Sequence, residues 1–257
     1  MVKFYESAFK YDYSFPAVTL AYFLRYPNPY STHVLSTDVI SRDIDSQGRL
    51  HTVRVHRKRT RLPSAVLKFL PTSVLGSLSN SSSESFILER STVDIKEGWM
   101  RTESKNLDWT GILSVVEKQE YRRQLSLATG EQANTNDLSA LSAGNTDVVT
   151  TVIFRSRLGS RLRAKASRTA GDMSTSVSEI EDEQPKKGFL ASLSTYGVQR
   201  SIEAIASRRT ENQLGKSKEG MVVVLERLRS GGLMAVLDGM RRDREIAMAP
   251  PIWESKN

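Results

Sequence analysis

Two periods divide the chain. Residues 2–13 alternate loosely, with Phe4, Tyr5, Phe9, Tyr11 and Tyr13 among polar neighbours, which predicts a strand. Phe15-Pro16-Ala17-Val18-Thr19-Leu20-Ala21-Tyr22-Phe23-Leu24 reads as a helix, with Ser14 available as a cap and Pro16 in the first turn, where a missing N–H costs nothing. Arg25 closes that helix, and Pro27 and Pro29 end it. Alternation resumes at His33, with Val34, Ser36, Asp38 and Ile40 on one face and His33, Leu35, Thr37 and Val39 on the other.

Asp45-Ser46-Gln47-Gly48 has the residue types of a turn, so 33–44 and 49–59 form a predicted antiparallel hairpin. Further strands are expected at 86–94, 99–107, 112–122 and 147–158. Residues 125–146 and 166–187 are polar and poor in aromatics, and are expected to be disordered insertions. Together these elements predict an α+β layout: an antiparallel sheet of about six or seven strands folded around one long helix.

That helix is expected from about Phe189 to Arg229. One line along it joins Val198, Ile202, Ile205, Arg209, Asn212, Lys216, Gly220 and Val223, all within about 40° at 100° per residue. If this line faces the core, it turns polar midway, and Arg209 and Lys216 then need a carboxylate, solvent or a bound anion, because an unpaired buried cation costs several kcal/mol. The alternative is that the helix leaves the core here. Gly215 loosens the same turn by about 1 kcal/mol relative to alanine.

Charge sharpens the hairpin. From Ser46 to Ser83 there is no acidic residue, while Arg49, Arg54, Arg57, Lys58, Arg59, Arg61 and Lys68 fall inside. Thr52, Arg54, His56 and Lys58 share one face and Val53 and Val55 the other. Such a strand is either a solvated basic edge that resists strand addition or a surface for an anion. Arg61 to Pro71 is apolar and basic, bounded by prolines and too short for a core helix, and suits either a lid or a crossover loop.

Over all 257 residues the formal charge is +8 and the pI about 9.7, which predicts an anionic partner: nucleic acid, a membrane surface or a phosphate-bearing ligand. The absence of cysteine excludes disulfides, thiolate catalysis and cysteine-ligated zinc. No run approaches the roughly 20 apolar residues of a membrane span. No secretory or Arg-rich targeting segment is legible at the N-terminus. Three histidines, with no Gly-x-Ser-x-Gly and no His-Glu-x-x-His, leave no credible catalytic constellation, no metal site and no cofactor motif.

Arg25-Tyr26-Pro27-Asn28-Pro29-Tyr30-Ser31-Thr32-His33-Val34-Leu35-Ser36 closely resembles the signature of the PRELI/Ups family of mitochondrial intermembrane-space phospholipid-transfer proteins, most of all its phosphatidic acid branch. Asp108, Thr110 and Gly111 match a second family pattern. The resemblance covers residues 1–122 and, less closely, 147–229, so a lipid-transfer domain is expected over 1–229 with 230–257 as a tail.

The resemblance implies a StART-like fold with a lipid tunnel between sheet and helix. It implies headgroup contacts from Arg25, His33, Lys58, Arg209, Asn212 and Lys216. It also implies that Leu62, Pro63, Val66, Leu67, Lys68, Phe69 and Leu70 form a lid that touches an anionic membrane surface. The implied activity is non-enzymatic shuttling of phosphatidic acid between mitochondrial membranes to feed cardiolipin synthesis, with a small twin Cys-x9-Cys protein as partner. Phosphatidylserine is the alternative cargo. A nucleic-acid module using Arg49 to Arg61 as a backbone track is the alternative class, disfavoured because aromatic residues do not interleave with the basic run.

Overall fold

The computed structural model describes residues 2–60, 83–108, 110, 113–124, 144–156 and 187–248, with only the backbone described for 187–209. Seven strands form one antiparallel sheet: β1 (Val2–Tyr11), β2 (Val34–Ile44), β3 (Leu50–Thr60), β4 (Ser83–Asp94), β5 (Trp99–Asn106), β6 (Leu113–Arg123) and β7 (Thr146–Ser156), in the order β1-β7-β6-β5-β4-β3-β2. Helix α1 (Phe15–Phe23) leads through a 3-10 turn at Pro29–Ser31 into β2. Helix α2 (Lys187–Met248) packs against α1 and that turn and also touches β7. The expected α+β layout of an antiparallel sheet and one long helix is therefore present, and each predicted strand appears within a few residues of its expected ends.

The register stacks the inner face of the sheet into rows that run across the strands. Leu50, Val93, Met100, Tyr121, Val148 and Phe9 form an apolar row. Against it pack Phe15, Val18, Ala21 and Tyr22 of α1 and Met221, Val224 and Leu225 of α2, and this is the hydrophobic core. The next row, Thr52, Ser91, Thr102, Gln119, Thr150 and Ser7, is wholly polar. Beyond it lie Arg54, Glu89, Ser104, Glu117, Val152 and Tyr5. The apolar core thus occupies one end of the inner face; beyond it the inward positions of β3 to β6 are largely polar, while Val152 and Phe154 keep β7 apolar.

Helix α2 corrects two expectations. Its packed line runs through Leu214, Ser217, Met221, Val224, Leu225 and Leu228, all buried or half-buried. Asn212 and Lys216 are exposed, and they lie about 180° and 140° around the helix from Met221 at 100° per residue. The expected line is therefore exposed at Asn212 and Lys216 and joins the packed face only from Gly220 onward. The unbroken apolar run Met221-Val222-Val223-Val224-Leu225 fits more than one line, and only the packing partner selects among them.

The second correction is the tail. The helix breaks at Gly231 and at Gly232, whose φ of 63° and ψ of −156° suit only glycine. It then continues to Met248. Val236 enters the core, and Arg227 Nη1 donates to Asp243 Oδ2 at 2.6 Å, so 233–248 is an integral helical return rather than an appendage. The expected insertions at 125–146 and 166–187 lie almost entirely outside the described residues.

Candidate functional site

The inward polar rows meet α1 at its C-terminal end, where Arg25 leaves the helix. The Arg25 guanidinium sits 4.1 Å from the centre of the Tyr22 ring and 4.8 Å from that of Tyr26, and its Nη2 donates to Glu89 Oε2 at 2.7 Å. Arg54 reaches the other oxygen of the same carboxylate through Nε at 2.9 Å and through Nη2. Its Nη1 donates to the Phe23 carbonyl at 3.1 Å, satisfying an acceptor that the helix end leaves open.

His56 completes the shell. Burial pushes its imidazole below the usual histidine range, so the ring is neutral. Its Nε2 then donates to Glu89 Oε2 at 3.2 Å while Nδ1 accepts from the Thr37 hydroxyl at 2.9 Å. For Glu89, burial alone pushes the carboxyl up, but Arg25, His56 and Arg54 more than reverse this and hold it well below the ordinary carboxylate range. Glu89 is 1% exposed and Arg54 2%, so these charges are compensated inside the protein rather than by solvent.

The turn that carries Arg25 is locked to α2. Asn28 Nδ2 donates to the Arg25 carbonyl at 2.5 Å and Asn28 Oδ1 accepts from Tyr30 N at 2.9 Å. Helix α2 crosses here at Gly220, where a Cβ would lie 2.7 Å from Asn28 Oδ1. The absence of a side chain at 220 lets the long helix approach the Arg25 turn.

Toward the far end of the inner face the packing thins. Ile87, Ser104, Asn106, Val115 and Glu117, on the three central strands β4, β5 and β6, are only half-buried although they point inward with fully buried neighbours. Burial still pushes the Glu117 carboxyl above its ordinary range, with Arg25 and Lys58 acting against the shift. Arg25 and Arg54 both address Glu89, and Lys58 acts on Glu117 from the same side of the sheet.

Of the expected headgroup residues, Arg25 and Lys58 both act electrostatically on Glu117. His33 is half-buried at the entry to β2, its carbonyl accepting from Arg59 N at 2.7 Å, and it neighbours Lys58 through the Val34–Lys58 register. Asn212 and Lys216 are exposed and do not join the packed face. The side chain of Arg209 and the whole expected lid, Leu62 to Leu70, lie outside the described residues.

Sequence reasoning missed Glu89 and Glu117. Their signal was available: each is an acid at an inward position of an alternating strand, Glu89 in phase with Val93 and Glu117 with Tyr121. The basic face Thr52-Arg54-His56-Lys58 turns inward and is not a solvated edge, whereas Arg57 and Arg59 point out. Among the described residues no cluster of histidines and acids could hold a metal ion.

Residues 16–129 match the PRELI-like family model. The chain is 40% identical over 122 residues to Protein UPS1, mitochondrial, of Saccharomyces cerevisiae, covering 48% of this chain and 65% of that protein. It is 40% identical over 104 residues to the Protein ups1 homolog of Schizosaccharomyces pombe, covering 40% and 55%. With PRELI domain-containing protein 1, mitochondrial, of Bos taurus it shares 33% identity over 122 residues, covering 48% and 52%. The chain thus spans about half to two thirds of the length of the curated relatives it matches. Among solved structures, the Zhui aromatase/cyclase from Streptomyces aligns over 91% of this chain and 100% of its own, with 13% identity and a TM-score of 0.40, a likeness too distant to carry an argument. On its signature turn, on the domain match over 16–129 and on these relatives, the chain is similar to the PRELI-like family over its N-terminal half.

Proposed function

We propose that this protein is a phospholipid carrier that shuttles phosphatidic acid between mitochondrial membranes, supplying cardiolipin synthesis, without making or breaking bonds. The observation that supports this most directly is the inner face of the sheet: beyond one apolar row it is largely polar on β3 to β6, only half-buried at its centre, and carries the cations Arg25, Arg54 and Lys58. A diacyl lipid leaving a bilayer needs an apolar shelter, because at about 0.8 kcal/mol per methylene one 16-carbon chain costs on the order of 12 kcal/mol in water, and Ile87, Val115, Val152 and Phe154 offer apolar surface on the same inner face. A phosphomonoester then finds charge-assisted donors at the wall. The names of the relatives place them in mitochondria, and the same compartment is proposed here.

Phosphatidylserine is the second cargo to test. A nucleic-acid track is less well supported, because Arg54 and His56 of the basic run are buried in the Glu89 shell and cannot reach a phosphate backbone. The lid with its anionic membrane contact and the twin Cys-x9-Cys partner belong to the same proposal. The test is transfer of fluorescent phosphatidic acid and phosphatidylserine between liposomes by the full chain co-expressed with such a partner. Phosphatidic acid transfer that Lys58→Glu abolishes supports the reading. Absence of transfer of either lipid, or unchanged transfer by Lys58→Glu, refutes it.

A further inference from the structure

The Glu89 carboxylate is saturated by two guanidiniums and an imidazole, but one row member away the same wall carries a second acid in the opposite state. Glu89 pairs across the sheet with Ser104, and Ser104 with Glu117, so the two carboxyls point inward two strands apart, about 10 Å at the usual strand spacing. Among the described residues Glu117 makes no hydrogen bond and no ion pair. The charged and titratable groups that face it are Arg25 from the turn after α1, Tyr26 beside it, Lys58 from β3, Glu89 from β4 and Tyr121 on its own strand. Arg25 is engaged by Glu89 at 2.7 Å.

We propose that Glu117 is the headgroup-discriminating residue of this interior: as a neutral acid it donates a hydrogen bond to the phosphoryl oxygen of an anionic lipid held by Lys58 and Arg25, and as a carboxylate it repels that lipid. The inference rests on the transfer reading and adds to it a residue that selects the cargo. The geometry motivates both halves. The carboxyl is inward, has no hydrogen bond or ion pair among the described residues, and lies within electrostatic reach of Arg25 and Lys58, so an anion entering there becomes its neighbour. A carboxylate has only acceptor oxygens to offer a phosphate, whereas a carboxylic acid has a donor. Burial of the side chain favours the neutral form until pH rises through the midpoint of the group. Uptake of the anionic lipid is therefore tied to a proton on this acid, and raising the pH favours release.

The experiment is liposome-to-liposome transfer of fluorescent phosphatidic acid from about pH 5 to pH 8, read as the rate of a variant divided by that of the wild type, so that titration of the lipid itself cancels. Glu117→Gln cannot ionise and keeps a donor. Its ratio is expected near one at the acid end and to rise by up to about tenfold per pH unit above the midpoint of the wild-type carboxyl. Glu117→Leu cannot ionise or donate, so it is expected to be slower than wild type in acid and to show the same relative rise. Lys118→Gln, next door on the exposed outer face, is expected to leave the profile unchanged. Wild-type transfer with a flat ratio for both Glu117 variants overturns the role of Glu117 and leaves the transfer reading standing. Absence of wild-type transfer at every pH overturns the transfer reading and this inference with it.

Discussion

Replacing Glu89 with glutamine tests whether the buried ion shell is as closed as its geometry indicates. The carboxylate accepts from Arg25 Nη2, Arg54 Nε, Arg54 Nη2 and His56 Nε2, and is 1% exposed. Glutamine preserves the shape but withdraws the only carboxylate the two guanidiniums share, and it presents an NH2 group where one of them donates. Breaking a buried pair from one side costs about 3–5 kcal/mol, because the charge left behind is uncompensated. For a chain of this size each kcal/mol moves Tm by about 2–4 °C, so Glu89→Gln is expected to lower Tm by roughly 6–20 °C. Thermal and urea unfolding followed by far-UV circular dichroism reads this. The control is Glu120→Gln, which pairs with Arg122 and, at 3.5 Å, with Arg101, both exposed, and which is expected to cost about 0–1 kcal/mol. A Glu89→Gln loss no larger than that of the control would show that water reaches the shell, and the argument for a closed interior at Arg25 would fail.

Four further outcomes follow from the same coordinates. Gly220→Ala places a methyl 2.7 Å from the Asn28 amide and is expected to cost about 1–3 kcal/mol, whereas Gly215→Ala, with nothing within 4 Å, is expected to gain about 0.5–1 kcal/mol; urea midpoints of the two variants distinguish them. Gly239→Ala drives its Cβ to 2.5 Å from the Arg227 guanidinium, so it should loosen the Arg227–Asp243 pair and raise hydrogen exchange in 233–248 without altering that of the sheet. His56 is depressed by burial, so the unfolded chain binds the proton that the folded chain refuses. Stability from this group is present above about pH 6.5 and falls on acidification, and His56→Gln should flatten the urea midpoint between about pH 7 and pH 5. The Thr52 hydroxyl is buried without a hydrogen-bond partner, so Thr52→Val is expected to be neutral or to stabilise by about 1 kcal/mol in thermal melts.

The elements of this fold were legible because each rests on a local cause. The two-residue period marks β2 and β3, Asp45 to Gly48 closes their hairpin, and Pro16 and Pro27 bracket α1. The grouping of Thr52, Arg54, His56 and Lys58 on one face was equally legible, since alternation states which side chains share a side. Alternation does not state which side is inside. That depends on what covers the sheet, and so the strand with the most basic residues read equally well as a solvated edge until Glu89, 35 residues on from Arg54, was placed opposite it.

The line of α2 that packs was ambiguous for the same reason, because Met221 to Leu225 is apolar all round and only contact with α1 and the Pro29–Ser31 turn chooses its direction. The helical return after Gly232 was missed because its local pattern mixes Leu233, Met234 and Leu237 with Arg241, Arg242 and Arg244, and its order comes from Val236 and Asp243 reaching partners elsewhere. Local chemistry sets the elements and the faces they share, while burial, ion pairing and the protonation of an acid such as Glu117 depend on residues distant in the chain, whose positions exist only once the sheet has its register.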